Sequence, residues 1–208
     1  MNIHLYLYRY IIMRTRDIDK EQLVKQKAIE SIVKSGFEGF SMNKLAKACH
    51  ISVATLYIYY KDRDDLIIKI AQEEGLRMAE TMLQNFDTEA SFEAGLRVQW
   101  ENRFNYMMNN PLISVFFEQL RSSTYHAQFM ETFKAHFEPA IKQFMHNALD
   151  RGEINRMSLE VYWSIAFAPL YALIRFHNEG QSIGGIPFKI SDEILWATFD
   201  YVVKALKK

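Results

Sequence analysis

The stretch FSMNKLAKACHISVATLYIYYKDRDDL, residues 40–66, decides the fold. It contains two short runs of helix-forming residues, and a third helix opens directly after them. Ser41 and Ser52 each stand immediately before one of the runs, at the position that a helix N-cap favours. The pattern therefore predicts two helices, 42–49 and 53–60, joined by a tight turn.

The helix predicted at 53–60 has two unlike faces. Leu56 and Tyr60 lie four residues apart and share the face that we assign to the core. The opposite face carries small, hydroxyl and aromatic side chains, which suit a DNA groove, where Thr meets base edges and Tyr donates to phosphate. The predicted DNA contacts of this region are Ser41, Asn43, Lys44, Ser52, Val53, Ala54, Thr55, Tyr57, Ile58, Tyr59, Lys61 and Arg63.

About residues 20–70 resemble the DNA-binding domain of TetR-type transcriptional regulators. The residues that match the family pattern are Leu56, Tyr57, Tyr59, Tyr60, Arg63, Asp64, Asp65 and Leu66, together with the run from Gly36 to Ser41 and the pair Leu45-Ala46. The resemblance implies an all-α fold, in which an N-terminal three-helix helix-turn-helix domain precedes a C-terminal helical bundle. It also implies that the bundle binds a ligand and forms the dimer.

Two positions depart from that family pattern. Val53 and Ala54 stand where the family often has Lys and Gly, and both changes remove affinity for phosphate. Flanking cations would then supply the phosphate contacts, which makes DNA binding dependent on salt. The flanking candidates are Lys44, Lys47, Lys61, Arg63 and an N-terminal arm with Arg14 and Arg16.

Composition supports a helical chain and excludes several classes of protein. The 208 residues include only 8 Gly and 4 Pro, a scarcity of breakers that favours long helices. The formal net charge is zero, so any basic patch is local. The single cysteine, Cys49, excludes an internal disulfide framework and suits a reducing cytoplasm, where we expect the protein to work.

The sequence predicts an N-terminal arm at 1–18, a DNA-binding domain at 19–66 and a ligand-binding and dimerisation domain at 67–208. The predicted helices are 19–34, 42–49, 53–60, 63–85, 91–109, 111–122, 126–151, 158–178 and 191–207, with the helix 63–85 linking the two domains. Pro139 predicts a kink in its helix. We expect Met13 to be the natural start and residues 1–12 to be an upstream extension rather than a signal or membrane span. If residues 1–12 do belong to the protein, we expect them to form a strand or helix docked on a neighbour.

Aromatic and Met residues are abundant in 92–176 and predict a pocket between helices for a flat or hydrophobic effector. Polar side chains among them would orient that molecule, and Arg175 interrupts an otherwise apolar run. The predicted ligand contacts are Trp100, Arg103, Phe104, Met107, Phe116, Phe117, Phe167, Tyr171 and Arg175. Most aromatic residues of this segment are expected to be ordinary core.

The last two predicted helices carry apolar stripes that the family resemblance assigns to a homodimer interface. The stripe residues are Tyr162, Ala166, Leu170, Leu173 and His177, and then Ile194, Thr198, Tyr201, Val202 and Ala205. A two-fold dimer implies a palindromic operator in double-stranded DNA. The stripes could instead complete a core within one chain.

The function predicted from these observations is a repressor that releases its operator when a small effector binds. A DNA-binding regulator controlled by a protein partner is the alternative, and a helical enzyme is a remote one. The sequence has no nucleophile elbow, phosphate loop or metal-ligand spacing, so we predict no catalytic residues, cofactor or metal. His126, His136 and His146 recur every ten residues, a spacing that does not return to one helix face.

Overall fold

The computed structural model describes residues 3–208, with side chains from Asp19 onward. This part of the chain forms ten α-helices. They are α1 (Ile3–Gly39), α2 (Met42–Ala48), α3 (Val53–Tyr59), α4 (Arg63–Met82), α5 (Phe92–Asn109), α6 (Pro111–Arg121), α7 (His126–Asp150), α8 (Leu159–Ala166), α9 (Ala168–Glu179) and α10 (Asp192–Leu206). The all-α class predicted from the sequence is confirmed.

The chain divides into two compact units whose limits differ from the predicted domains. Unit 1 comprises the residues up to Ala71 together with Val115–Gln128, and unit 2 comprises Gln72–Ser114 and Phe129–Lys208. The predicted first domain, 19–66, lacks the second of these segments of unit 1. Sequence reasoning missed it because the segment joins unit 1 through contacts distant in sequence.

Unit 1 is built around the helix-turn-helix. Ile32, Leu45 and Leu56 are fully buried and supply its apolar centre. The ring of Phe37 lies 6.1 Å from that of Phe116, measured between centroids, and Gln119 donates a 3.1 Å hydrogen bond to the carbonyl of Val33. These contacts attach α6 to the end of α1.

The first helix begins earlier than predicted, at Ile3 instead of Asp19. No Gly or Pro interrupts residues 3–35, so the helical backbone continues upstream. The predicted stop at Gly36 is a break in helical geometry, with φ of 70° and ψ of 171°, which only glycine adopts at low cost. The predicted docking of residues 1–12 concerns side chains outside the described residues.

The predicted helix 158–178 is wrong as one element, because the structure has α8 and α9 there. Phe167 separates them with φ of −126° and ψ of −24°, and Pro169 follows in the first turn of α9. Proline lacks the N–H that a continuous helix would need. The linking helix α4 ends at Met82 rather than at residue 85, where Asn85 has a positive φ of 55°.

Unit 2 has an aromatic core. Phe92, Trp100, Phe144 and Phe199 are essentially inaccessible to solvent, and the indole N–H of Trp100 donates a 2.8 Å hydrogen bond to the carbonyl of Ala166. Helix α7 is continuous through Pro139. Within the described residues no single helix is long and apolar enough to cross a membrane, although α8 and α9, bent by 40°, pass that test as a pair.

Candidate DNA-binding and effector sites

The helix-turn-helix is held by caps that its own sequence supplies. Ser41 Oγ accepts the backbone N–H of Lys44 at 3.3 Å, and Ser52 Oγ accepts that of Thr55 at 3.1 Å. Between the helices, His50 takes a positive φ of 55°, which turns the chain sharply. The predicted N-caps thus orient α3 against α2.

Helix α3 presents the side chains that the pattern assigned to its two faces. Leu56 and Tyr60 are 0% and 3% exposed, whereas Tyr57 and Ile58 are 52% and 76% exposed. Exposed aromatic and apolar side chains side by side on a helix are typical of an interaction surface. The hydroxyl of Thr55 lies 2.8 Å from Ser52 Oγ, so it is oriented at the start of this face.

The remaining predicted DNA contacts surround α3 and most are accessible. Asn43, Lys44, Ala54 and Lys61 are exposed. Ser41, Val53 and Tyr59 are half-buried, and Ser52 is exposed. The ammonium group of Lys44 lies 2.9 Å from the carbonyl of Gly39, a hydrogen bond that leaves its charge available near the surface.

Arg63, a predicted phosphate contact, directs its guanidinium towards groups of its own chain. Its guanidinium donates to the carbonyl of Phe37 and to the hydroxyl of Tyr125, 3.4 Å away, and its side chain is 33% exposed. Its Nε is buried without a hydrogen-bond partner. The local sequence could not indicate this inward orientation, because both partners are distant in the chain.

The acidic cluster at the start of α4 is structural. Asp62 accepts the backbone N–H of Asp65 at 2.8 Å as a helix cap. Asp65 accepts the backbone N–H of Lys61 and the ammonium of Lys69, and the two bonds lower the pKa of its carboxyl. Among the described residues no group of three or more His, Cys, Asp or Glu side chains could hold a metal ion.

Cys49 lies in the core of unit 1. Its side chain is 4% exposed, and burial raises the pKa of its thiol. A protonated, buried thiol behaves as a small apolar side chain.

The structure separates the predicted ligand contacts into three groups. Trp100, Arg103, Met107 and Phe167 are buried in unit 2, with Phe104 and Tyr171 half-buried. Phe116 and Phe117 belong to unit 1, where Phe116 contacts Phe37. Arg175 is exposed, and its Nε lies 3.9 Å from Glu179, so it is not among the buried groups of unit 2.

Arg103 on α5 is the buried cation of unit 2. Its side chain is inaccessible to solvent, and it donates to the hydroxyl of Tyr171 at 2.8 Å and to Gln99 Oε1 at 3.3 Å. Its guanidinium carbon lies 4.0 Å from the ring centroid of Phe167 and 5.1 Å from those of Phe137 and Trp163. Of these neighbours, sequence reasoning omitted Gln99, Phe137 and Trp163 from the site.

A second feature of unit 2 is a cavity of about 370 Å³ near the start of α5. Its lining residues are Ser91, Glu93, Ala94, Arg97, Glu153 and Lys207. Lys207 pairs with Glu93 at 2.9 Å, and Glu153 accepts the backbone N–H of Phe92. Arg97 pairs with Glu101 and Glu153 with Arg151, so each charged lining residue already has an ionic partner within the chain.

The predicted dimer stripes are only partly on the surface. Tyr162, Ala166, Leu170 and Val202 are buried within their own chain, which favours the alternative that they complete a core within one chain. Leu173, Ile194 and Thr198 are half-buried, as is His177, whose Nδ1 accepts the backbone N–H of Ile190 at 3.1 Å. Tyr201 and Ala205 are exposed. The α10 stripe thus keeps an accessible edge.

Comparisons with known proteins agree with this geometry. Residues 26–70 match the family model described as bacterial regulatory proteins, tetR family. An uncharacterized HTH-type transcriptional regulator of Haemophilus influenzae is 24% identical over 196 residues, which are 94% of this chain and 100% of that protein. The match covers the helix-turn-helix and continues through unit 2.

Solved structures share the fold. A TetR family transcription regulator from Marinobacter aquaeolei superposes with a TM-score of 0.77 and 24% identity, covering 94% of this chain and 99% of that one. The transcriptional regulator FadR from Bacillus subtilis, solved in complex with stearoyl-CoA, superposes with a TM-score of 0.68 and 16% identity, covering 88% and 95%. At these identities the similarity shows the fold alone.

The capped, tightly turned helix pair with an exposed α3 face defines a helix-turn-helix DNA-binding protein. The family match on residues 26–70 then gives the particular family. Residues 26–70 carry the helix-turn-helix of the tetR family of bacterial regulatory proteins, and the chain is similar along its length to an HTH-type transcriptional regulator.

Proposed function

We propose that the protein is a homodimeric repressor that binds a palindromic operator through α3 and releases it when a small hydrophobic effector binds in unit 2. The observation that carries the DNA-binding role is the α3 surface, where Tyr57 and Ile58 are exposed while Leu56 is fully buried. Side chains in this arrangement can enter the major groove without disturbing the core.

Phosphate contacts are assigned to lysines around that face. Asn43, Lys44 and Lys61 are exposed on the same unit, and Val53 and Ala54 offer no charge at the start of α3. Arg63 is left out of this group, because its guanidinium bonds to Phe37 and Tyr125. Each lysine that contacts a phosphate contributes about one unit to the salt dependence of the logarithm of affinity.

The effector site is assigned to the aromatic surroundings of Arg103 in unit 2. A FadR neighbour was solved with stearoyl-CoA, which supports an effector with a large apolar part. Helix α4 begins at Arg63 in unit 1 and ends at Met82 in unit 2, so it offers a continuous route between effector and DNA reader. An effector shifts operator binding only by its different affinities for the two states.

The test begins with selection of bound DNA from a random pool by the full-length protein. The selected operator is then titrated with the wild type and with Tyr57→Ala, Ile58→Ala and Ile183→Ala. Ile183 is an exposed isoleucine of unit 2, 83% accessible, and serves as the matched control for Ile58. We expect the first two variants to lose at least about 10-fold in operator affinity, as for lost base contacts, and the control to bind as the wild type does. Unchanged affinity of Tyr57→Ala would contradict the role of α3.

A further inference from the structure

We propose that the effector is an organic acid with an apolar body, whose carboxylate is bound by the guanidinium of Arg103 inside unit 2. This inference rests on the proposed function, because it names the chemical class of the effector at the same site. It goes further in assigning one ionic contact, between the effector's carboxylate and Arg103.

The first ground is that the buried guanidinium of Arg103 has hydrogen-bond donors without acceptors. Arg103 is 0% exposed, and its two side-chain hydrogen-bond acceptors among the described residues, Tyr171 and Gln99, are neutral. Its Nε is buried with no hydrogen-bond partner. A guanidinium has five N–H donors, so several remain for another acceptor.

The second ground is the cost of that arrangement. Arginine stays protonated in proteins, so it cannot escape burial by losing its charge. A buried charge is expensive unless an opposite charge lies beside it. The rings of Phe167, Phe137 and Trp163 compensate only part of the cost through cation–π attraction.

Three other arginines of unit 2 are each paired with a carboxylate of the same chain. Arg77 lies 3.0 Å from Glu74, Arg97 lies 3.5 Å from Glu101, and Arg151 lies 2.6 Å from Glu153. Each has a carboxylate supplied by the chain and is itself partly exposed. Arg103 combines full burial with neutral partners, which is the combination expected when the carboxylate comes from a ligand.

The geometry around Arg103 also limits the rest of the molecule. A carboxylate can bind a guanidinium edge through two parallel hydrogen bonds, and here that edge includes the free Nε. The rings of Phe167, Phe137 and Trp163 lie within 5.1 Å of the guanidinium carbon and make its surroundings suitable for an apolar body. The acyl carbon of a CoA thioester is bonded to sulfur and carries no free carboxylate, so such a ligand could not make this contact with Arg103.

The test measures binding to the full-length protein without DNA, by calorimetry. The probes are decanoate with decan-1-ol, 2-naphthoate with 2-naphthalenemethanol, and decanoyl-CoA. We expect at least one carboxylate to bind the wild type about 10-fold tighter or more than its matched alcohol, the ratio expected of a charge-assisted hydrogen bond. Arg103→Met should weaken that carboxylate about 10- to 100-fold and leave the alcohol unchanged.

Two further variants keep the result interpretable. Arg97→Met removes an arginine of the same helix that is exposed and stacked 3.9 Å from the Trp196 ring, and should leave carboxylate binding unchanged. Arg103→Lys keeps the positive charge but loses the planar guanidinium that can bind a carboxylate through two hydrogen bonds. It should weaken carboxylate binding several-fold. If Arg103→Met does not fold, unchanged carboxylate affinity in Arg103→Lys overturns the proposal.

Four other outcomes of the binding measurements would overturn the proposal. Equal affinity for acid and alcohol, unchanged carboxylate binding in Arg103→Met, or no carboxylate binding to the wild type each overturns the proposal. Decanoyl-CoA binding equally to the wild type and Arg103→Met, with no binding of decanoate, does so too. None of these results touches operator binding, which is measured separately with Tyr57→Ala, so failure of this inference and failure of the proposed DNA-binding role are distinguishable.

Discussion

The phenolic hydroxyl of Tyr125 donates a 2.6 Å hydrogen bond to a carboxylate oxygen of Asp64. Asp64 lies in the first turn of α4, whereas Tyr125 precedes α7, 61 residues later. The ring of Tyr125 also lies 5.2 Å from that of Phe37, between centroids. These contacts explain why residues 115–128 belong to the same compact unit as the helix-turn-helix.

Replacing Tyr125 with Phe should therefore destabilise unit 1. We expect Tyr125→Phe to lower the free energy of unfolding of the full chain by about 1–3 kcal/mol, the range for a hydrogen bond to a charged group. Urea titration measures it. Tyr57→Phe is the matched control, because Tyr57 is 52% exposed and the titration contains no DNA, and equal losses in the two variants would contradict the assigned role.

Tyr125 should also make stability depend on alkaline pH. Burial, followed by the hydrogen bond to Asp64, raises the pKa of Tyr125 from 10.0 to about 12. The folded state therefore holds a proton that the unfolded state has lost, and stability falls as pH rises from 10.0 to about 12. We expect the difference in stability between the wild type and Tyr125→Phe to shrink across that window. A constant difference would contradict the assignment.

The local elements of unit 1 could be predicted from sequence, and its long-range contacts could not. Ser41, Ser52 and Asp62 act through backbone N–H groups three residues away, so their caps follow from spacing. Arg63 bonds to Phe37 and Tyr125, which are 26 and 62 residues distant. Nothing in the local pattern distinguishes such an arginine from one that faces phosphate.

The same limit applies to the effector site. Arg103 and Arg175 both interrupt aromatic, helical segments, and the sequence favoured Arg175. In the structure Arg175 has a carboxylate four residues away, at Glu179, whereas Arg103 is fully buried. The difference depends on which helix face the fold covers, and periodicity was ambiguous where both faces carry large side chains.

Gly95 on α5 makes room for an aromatic ring. A Cβ at this position would lie 2.3 Å from Phe144 Cε2, and Phe144 itself is fully buried against Phe92 and Phe86. Although alanine favours a helix by about 1 kcal/mol, we expect Gly95→Ala to lower the free energy of unfolding by about 1–3 kcal/mol through overpacking. Thermal or urea denaturation measures it.

A double-mutant cycle identifies the cause of that loss. Phe144→Leu removes the ring that a Cβ on residue 95 would meet, at the cost of a buried cavity. If steric conflict is the cause, the double variant is more stable than the sum of the two single losses predicts. Strictly additive losses would point to another origin.

Glu153 should make stability depend on acidic pH. Its carboxylate accepts the backbone N–H of Phe92 at the start of α5 and lies 2.6 Å from Arg151. The bond to Phe92, and then the one to Arg151, hold the pKa of Glu153 below its ordinary 4.5. The pKa of Glu153 is lower in the folded state than in the unfolded state, so the ionised carboxylate stabilises the fold above pH 4.5. This stabilisation is lost as the pH falls through the folded-state pKa.

We expect Glu153→Gln to lower the free energy of unfolding by about 1 kcal/mol at neutral pH, because the amide accepts the same N–H without charge. The difference from the wild type should diminish as pH falls below 4.5. Glu131→Gln changes an exposed carboxylate and serves as the control. A difference from the wild type that does not vary with pH would show that the charge of Glu153 is not the cause.

The accessible edge of α10 carries the proposed dimer contact. Tyr201 is 75% exposed, and Ile194, Thr198 and Ala205 lie on the same side of the helix. An exposed aromatic beside apolar residues is a common centre of an interface. In a two-fold dimer this patch would face its own copy, so a charge placed there would be repeated at close range.

Tyr201→Asp should therefore shift the protein to monomer in sedimentation equilibrium at micromolar concentration. It should also weaken binding to a two-half-site operator while leaving binding to an isolated half-site unchanged, because only the linkage between DNA readers is lost. Ala135→Asp introduces the same charge at an exposed position on α7 and should remain dimeric. A dimeric Tyr201→Asp with wild-type operator affinity would place the interface elsewhere.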